Sequence, residues 1–209
     1  MNARRHSAAP ARSVGEVRII GGSLKRSKLP VPDRPGLRPT PDRVRETLFN
    51  WLGPSVQGAR ALDLCAGTGV LGLEALSRGA DFVHFNETDF ALAAQITSAL
   101  ERFRMADRAR VTHDDARQLL AGTVAGGFDL VFVDPPYQAS LWPDLLPKLP
   151  AWLNPDAKVY VEHPIDVELA LDDEWRVLKQ ARAGRIHYCL LQRTAGSADS
   201  LHLRQAASL

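Results

Sequence analysis

From Ala59 onward the chain alternates short apolar runs with longer amphipathic ones. Ala61-Leu62-Asp63-Leu64-Cys65 reads as a strand, Val70 to Arg78 as a helix, Phe82-Val83-His84-Phe85 as a second strand and Phe90 to Phe103 as a second helix. Arg110 to His113 continues the rhythm as a strand, Ala116 to Leu120 as a short helix, and Leu130-Val131-Phe132-Val133 as a buried strand. Leu141 to Leu153 is helical but interrupted by Pro143, Pro147 and Pro150, and Lys158 to Glu162 is a further strand. Alternation of this kind predicts an α/β domain, a parallel sheet with helices on both faces. Trp175 to Lys179 and Arg185 to Gln192, joined through Ala183-Gly184, predict an antiparallel hairpin added to its edge.

Upstream the pattern is different. Val17-Arg18-Ile19-Ile20 reads as a short strand running into a Gly21-Gly22 turn, with Ser23 to Leu29 as its partner. The proline-rich stretch Pro30 to Gly36 is expected to lie outside regular structure, because prolines lack a donor and restrict their predecessors. From Pro41, with Thr40 as N-cap, Val44, Leu48, Trp51 and Leu52 recur at helical spacing over about three turns. The expected division is a disordered tail over 1–16, a small β-hairpin arm over 17–40, the α/β domain over 41–193 and a flexible tail over 194–209. No internal repeat is visible.

The formal charge of +2 hides an asymmetry: residues 1–45 balance to +8 and residues 46–209 to −6. A basic head on an acidic body points to an anionic partner such as nucleic acid. The 45% apolar content is enough for a proper core and excludes long disorder as the main description. Cys65 and Cys189 are far apart and neither belongs to a Cys-x-x-Cys pair, so a disulfide framework and a cysteine zinc site lack support and a reducing cytosol is the default. No apolar run approaches the roughly 18 to 20 residues that span a bilayer, so the expectation is a soluble cytoplasmic protein. The acid-free start, Met1 to Ser13, has the composition of a disordered basic tail and also that of an organellar transit peptide, the first being favoured.

The first strand runs into Ala66-Gly67-Thr68-Gly69-Val70-Leu71-Gly72, a Gly-x-Gly-x-x-Gly sequence opening a helix, with Glu87 20 residues after Gly67. Glycines let the backbone turn tightly and approach a ligand, and an acid at the end of the next strand can accept from two ribose hydroxyls. The same geometry serves dinucleotides and adenosyl ligands. Asp63 is costly inside a strand unless paired, so it holds either the loop or a ligand ammonium. Asp115, after Asp114 at the third strand's end, suits an adenine amino group and also the N-cap of the helix from Ala116, two compatible roles.

The most informative residues are Asp134-Pro135-Pro136-Tyr137, directly after the strand Leu130 to Val133 and so at the same sheet edge. Two prolines make a stiff turn that fixes the Asp134 carboxylate and the Pro135 carbonyl as converging acceptors, with an aromatic ring beside them. An exocyclic amine is a poor nucleophile because its lone pair is delocalised into the ring. Accepting both N–H bonds favours a pyramidal nitrogen, and the charge on Asp134 stabilises the cationic amine formed as a methyl group arrives. Tyr137 stacks on the base. The bland alternative is a simple turn.

Together, Asp63-Leu64-Cys65-Ala66-Gly67-Thr68-Gly69 and Asp134-Pro135-Pro136-Tyr137 resemble S-adenosylmethionine-dependent amino-methyltransferases with a seven-stranded Rossmann-like fold. Arg18-Ile19-Ile20-Gly21-Gly22, Leu29-Pro30-Val31-Pro32 and above all the stretch Gly36-Leu37-Arg38-Pro39-Thr40-Pro41-Asp42-Arg43-Val44-Arg45 to Leu52 are similar to the RsmD family, over about Val17 to Arg193. The resemblance implies that fold with an antiparallel C-terminal hairpin and a small N-terminal β-hairpin arm, S-adenosyl-L-methionine as cofactor, and methylation of guanine N2 in small-subunit (16S) ribosomal RNA without a metal or covalent intermediate. It implies catalytic roles for Asp134, Pro135, Pro136 and Tyr137. Cofactor contacts fall to Asp63, Ala66, Gly67, Thr68 and Gly69 near the methionine moiety, Glu87 and Thr88 near the ribose, Asp115 and Ala116 near the adenine, and Arg38 and Thr40 closing over it. Cys65, Thr68 and the polar strand end Asn86-Glu87-Thr88 depart from the family's usual sequences.

Lys25, Arg26, Lys28, Arg38, Arg43 and Arg45 are candidates for neutralising RNA phosphates, against the ordinary alternative of a solvated basic face. The expected partner is small-subunit ribosomal RNA or the assembled small subunit, met by a monomer. His113, His163 and His187 read as structural. An oxidoreductase shares the glycine loop and Glu87 but does not need Asp134 to Tyr137; a non-catalytic RNA-binding assembly factor uses the arm and leaves the pocket idle. Other RNAs, DNA adenine and protein amides remain alternative acceptors.

Overall fold

A computed structural model of the chain describes residues 13–194. Seven strands, β3 Arg60–Asp63, β4 Phe82–Asn86, β5 Ala109–Thr112, β6 Phe128–Val133, β7 Leu153–Pro164, β8 Trp175–Ala183 and β9 Ile186–Arg193, form one sheet in the order β5-β4-β3-β6-β7-β9-β8. The five from β5 to β7 are parallel, and β9 is antiparallel to both β7 and β8. Successive strand residues face opposite sides. Ala61, Val83, Phe85, Leu130 and Phe132 thus enter a core shared with α1 (Asp42–Leu52), α2 (Val70–Ser77) and α3 (Phe90–Arg102). Leu62, Leu64, Val131, Val133, Val159 and Val161 enter a second core under α4 (Ala116–Ala121) and α5 (Trp142–Leu145). Burial on both faces explains why these strands read as continuous apolar runs. The proline-interrupted region divides into α5 and a 3-10 segment, Leu146–Trp152.

The N-terminal segment corrects four expectations. Strand β1 spans Ser13–Arg18, so the tail expected over 1–16 loses its last four residues to a strand, and residues 1–12 lie outside the described residues, as do 195–209 of the C-terminal tail. Its partner β2 is Lys28–Pro32 rather than Ser23 to Leu29, and it includes two of the prolines expected outside regular structure. Pro30 and Pro32 are two apart, so their missing donors fall on one edge of the ribbon, the edge that β1 does not use. On that edge α3 supplies side-chain donors instead: Gln95 Nε2 donates to the Pro30 carbonyl at 2.8 Å and Arg102 to that of Lys28 at 2.8 Å. Thr40 does not cap α1; Pro41 is the N-cap and makes no side-chain cap bond, while Thr40 is turned elsewhere.

The arm is bound closely to the body. Val17, Ile19, Leu29 and Val31 are buried in the core that also holds α2, and all eight residues of α2 are buried because the hairpin covers the side away from the sheet. This explains the two polar residues hidden in that helix. Glu74, fully buried, accepts from the backbone N–H groups of Ile20 and Gly21 at 2.8 Å each and pairs with Arg45 and Arg78. Ser77 takes the Leu24 N–H on its hydroxyl and the Ser23 N–H on its carbonyl. The hairpin's tip is therefore held at the C-terminal end of α2, about 12 Å along the helix from the glycine loop that begins it. Its other end, where Ser13 pairs with Pro32, leads into the segment 33–41 that crosses the sheet's carboxyl edge. Among the described residues no helix is long and apolar enough to cross a membrane.

Candidate active site

Strand order reverses between β3 and β6, and in open α/β sheets that switch point, beyond the strands' carboxyl ends, is where ligands sit. The loop after β3 turns through left-handed Gly67 (φ 55°) and Gly69 (φ 77°), with the Gly69 N–H bonded to the Ala66 carbonyl at 2.7 Å. A side chain on Gly72 would run into the Phe85 ring of β4, so the third glycine serves close helix–strand packing. Glu87, at the end of β4, accepts the Gly67 N–H at 2.7 Å on one oxygen and the Asp89 N–H at 2.8 Å on the other. The oxygen bonded to Gly67 keeps a second lone pair, while the other also accepts the Thr88 hydroxyl at 3.4 Å. The polar strand end has a structural reason: the buried Asn86 amide donates to the carbonyls of Leu64 and Asp114 and accepts from Thr112, tying three strand ends together.

Asp63 is fully buried, and its recorded hydrogen bond is the Gly72 N–H at 2.9 Å. Burial pushes its carboxyl up to about 7, with the nearby Glu87 adding to the rise against the Gly72 bond. It is a desolvated acid with no cation beside it in the salt-bridge geometry of the described residues. Asp115 is the N-cap of α4 and pairs with Arg117 at 2.7 Å, which holds it down to about 2; Ala116 behind it is buried. Thr88 is exposed, its hydroxyl 3.4 Å from Glu87, and Thr68 is buried under the loop.

One strand over, Asp134 follows β6 and receives the Thr40 hydroxyl at 3.3 Å. The acid is raised well above the usual carboxylate range by burial, then by neighbouring Glu162, with the Thr40 bond working against the rise. Sequence reasoning missed Glu162, which lies buried near the end of β7. Its two oxygens accept the hydroxyls of Tyr137 at 2.6 Å and Tyr160 at 2.8 Å, and its carbonyl accepts the Trp142 indole N–H at 2.9 Å. Tyr137 is thus held at its tip by Glu162 and backed by the Trp142 ring at 6.5 Å. The signal was available: Glu162 is an acid at the carboxyl end of a buried strand, the feature that singled out Asp63.

The segment 33–41 roofs this edge. Arg34 pairs with Asp89 at 3.1 Å, the Leu37 side chain lies over Gly67, Gly36 lies near Gln138, and Arg38 is exposed on the Tyr137 side. The glycine loop, Glu87, Asp115, Thr40 and the Asp134 turn are thereby brought to one edge. The basic candidates are not. Arg45 is fully buried, its guanidinium bonded to Asp42, Glu74 and the carbonyls of Arg18 and Thr40, so its expected phosphate contact is corrected to a structural clasp. Lys25 and Arg26 lie at the hairpin tip, at the opposite edge, and Lys28 pairs with Glu16 at 2.6 Å. Arg38 and Arg43 stay exposed. His113 bonds the Thr88 carbonyl, and His163 bonds the Pro164 carbonyl with its ring against His187.

The family model described as conserved hypothetical protein 95 matches residues 17–192. The chain is similar to a protein named ribosomal RNA small subunit methyltransferase D from Escherichia coli strain K12, 44% identical over 192 residues that cover 89% of this chain and 95% of that one. It is similar to the protein of the same name from Haemophilus influenzae, 41% identical over 182 residues that cover 85% and 94%. A solved structure of the putative methyltransferase yhhF from Escherichia coli superposes with a TM-score of 0.79 at 40% identity, covering 87% of this chain and 100% of that chain. The glycine loop, the Asp134 turn and the hairpin from Val17 on lie within the matched stretch, and the chain belongs to the conserved hypothetical protein 95 family, the RsmD family that its motifs resemble.

Proposed function

We propose that the protein transfers a methyl group from S-adenosyl-L-methionine to the exocyclic N2 of a guanine in small-subunit (16S) ribosomal RNA. The observation that carries this reading is the convergence, at the β3/β6 switch point, of a glycine loop with an unpaired buried acid and a turn with a second acid beside a fixed tyrosine. Membership of a family whose named relatives are ribosomal RNA small subunit methyltransferases supplies the substrate class.

The residues present fit the cofactor. Asp63, a desolvated carboxylate with no cation partner, suits an amino-acid ammonium group, and the left-handed glycines leave room for backbone approach along Ala66, Gly67, Thr68 and Gly69. Glu87 and Thr88 offer acceptors to ribose hydroxyls, while Asp115 and the backbone of Ala116 receive the adenine edge. Arg38 and Thr40 close the site from above. When bound, the cofactor supplies an electrophilic methyl group on a sulfonium centre.

Asp134 and the Pro135 carbonyl accept the two N–H bonds of the guanine amine, which turns its lone pair outward. The rigid Pro135-Pro136 pair keeps these acceptors in place, and Tyr137, tethered by Glu162, holds the ring plane. As the nitrogen gains a bond to carbon it becomes cationic, and negative charge at Asp134 stabilises it. Raised by burial and Glu162, the Asp134 carboxylate is also suited to receive the proton that the methylated amine sheds. The same reading has a monomer working in the cytoplasm, on the RNA or on the assembled small subunit.

The test offers unmethylated small subunits, free ribosomal RNA, DNA and protein together with labelled cofactor. Label in guanosine from RNA is expected; label confined to DNA or protein, or in no acceptor, overturns the assignment.

A further inference from the structure

Between Trp175 and Thr194 the chain carries Arg176, Lys179, Arg182, Arg185 and Arg193 and no aspartate or glutamate, within a body that is otherwise acidic. This stretch is the β8–β9 hairpin. Arg193 pairs with Glu174 and Arg176 bonds Gln192, but Lys179, Arg182 and Arg185 are exposed and make no ion pair among the described residues. In the N-terminal segment Arg18, Lys28, Arg34 and Arg45 pair with acids of the chain, while Lys25, Arg26, Arg38 and Arg43 are exposed and make no ion pair among the described residues.

Strand register places the hairpin's turn. Val133 pairs with Val161, so Asp134 is level with Glu162; Glu162 pairs with Tyr188 and Tyr188 with Ala181. One row further toward the carboxyl edge, His163, His187 and Arg182 stand side by side on three neighbouring strands, and Arg185 lies in the turn beyond. His187 and Arg182 lie opposite one another, and His187 alternates with Tyr188, so it shares the face of Cys189, the face on which Tyr137 and Trp142 pack. Three strand spacings separate Asp134 from Arg182, about 14 Å. That distance is about four rises of a nucleic-acid strand. Arg176, Lys179 and Arg182 lie along the edge strand β8, where charge also discourages strand addition, but that need does not account for Arg185 in the turn beside the site.

We infer that the β8–β9 turn, through Arg182 and Arg185, is a phosphate-binding surface that continues from the Asp134–Tyr137 pocket, and that its partner is the RNA backbone flanking the target guanine. The inference rests on the proposed RNA substrate. It moves the main electrostatic contact from the N-terminal arm to the C-terminal hairpin. Backbone contacts of this kind position the RNA and carry no sequence preference.

The test measures binding of the full chain to a fluorescent small-subunit ribosomal RNA fragment between 50 and 200 mM salt, with methyl transfer assayed in parallel. An Arg182→Glu/Arg185→Glu variant is compared with Arg104→Glu/Arg110→Glu, an equal charge change at and beside the opposite edge strand, and with the milder Arg182→Gln/Arg185→Gln. The hairpin variants are expected to weaken RNA binding at least tenfold for Glu and less for Gln. Their salt slope should fall by about 1 per arginine while cofactor affinity stays unchanged. RNA binding and salt slope equal to those of the Arg104/Arg110 control overturn the inference, whatever the transfer assay gives. RNA binding without methyl transfer by the wild type overturns the proposed reaction and leaves the hairpin surface standing.

Discussion

Asp63 and Asp134 are two acids whose surroundings push them in the same direction for different uses. Asp63, raised from an ordinary value of about 4 to about 7, stabilises the fold in its protonated form, and that contribution is lost as pH rises through 7. Asp63→Asn should therefore gain on the wild type by up to about 4 kcal/mol at pH 8 and by little at pH 4, read from urea unfolding. The cofactor's ammonium reverses the preference for the protonated form. Wild-type affinity for S-adenosylmethionine should climb by up to tenfold per pH unit below about 7 and then level off, and a flat profile would remove Asp63 from that role. Glu162 acts on Asp134 through charge and on Tyr137 through a hydrogen bond. Glu162→Gln removes a negative neighbour, so the Asp134 carboxyl falls and the acid limb of the rate profile moves to lower pH. A rise of about tenfold in KM for RNA should accompany it, with cofactor affinity unchanged. An unmoved acid limb would reduce Glu162 to a packing residue.

Among the elements, α2 has the most to satisfy: it begins at the glycine loop, packs on the sheet and is covered by the hairpin. Its polar residues look wrong in a buried helix until the hairpin is docked, when Glu74 becomes the acceptor for two backbone N–H groups and two arginines. Removing it leaves Arg45 charged and buried. Glu74→Ala is expected to cost about 3–5 kcal/mol in urea unfolding, and a loss below 1 kcal/mol would show that the clasp is not structural. Gly72→Ala forces a methyl group into the Phe85 ring and should cost about 1–3 kcal/mol. The strands and helices of the body were readable in the sequence because apolar spacing is local. The hairpin was not fully so: the proline edge of β2 depends on donors from α3, and Arg45 reads as a surface cation until Glu74, 29 residues later, is placed against it. Thr40 looks like a cap for the same reason, since its actual acceptor, Asp134, is 94 residues away.

For the whole molecule, the segment 33–41 and the sheet's carboxyl edge enclose a site whose two motifs could be recognised in the sequence, because each is a short run with its own turn chemistry. What only the fold supplies is the row across the strands. Glu162 reaches Tyr137 from the next strand, and the β8–β9 turn stands at the same edge as the pocket. The near-neutral total charge divides accordingly into arm cations of which some are paired, acids at the site and a basic hairpin beside it. The central claim is that Asp134 acts on the guanine amine and not on the cofactor. Its most direct test is a single turnover of preformed enzyme–cofactor complex on small-subunit RNA, with nucleosides analysed after digestion, for wild type and Asp134→Ala. The account predicts N2-methylguanosine from the wild type, a loss of at least a hundredfold in rate for the variant, and cofactor affinity within about threefold. Methylation at another atom, or a variant that loses cofactor binding and turnover together, would contradict it.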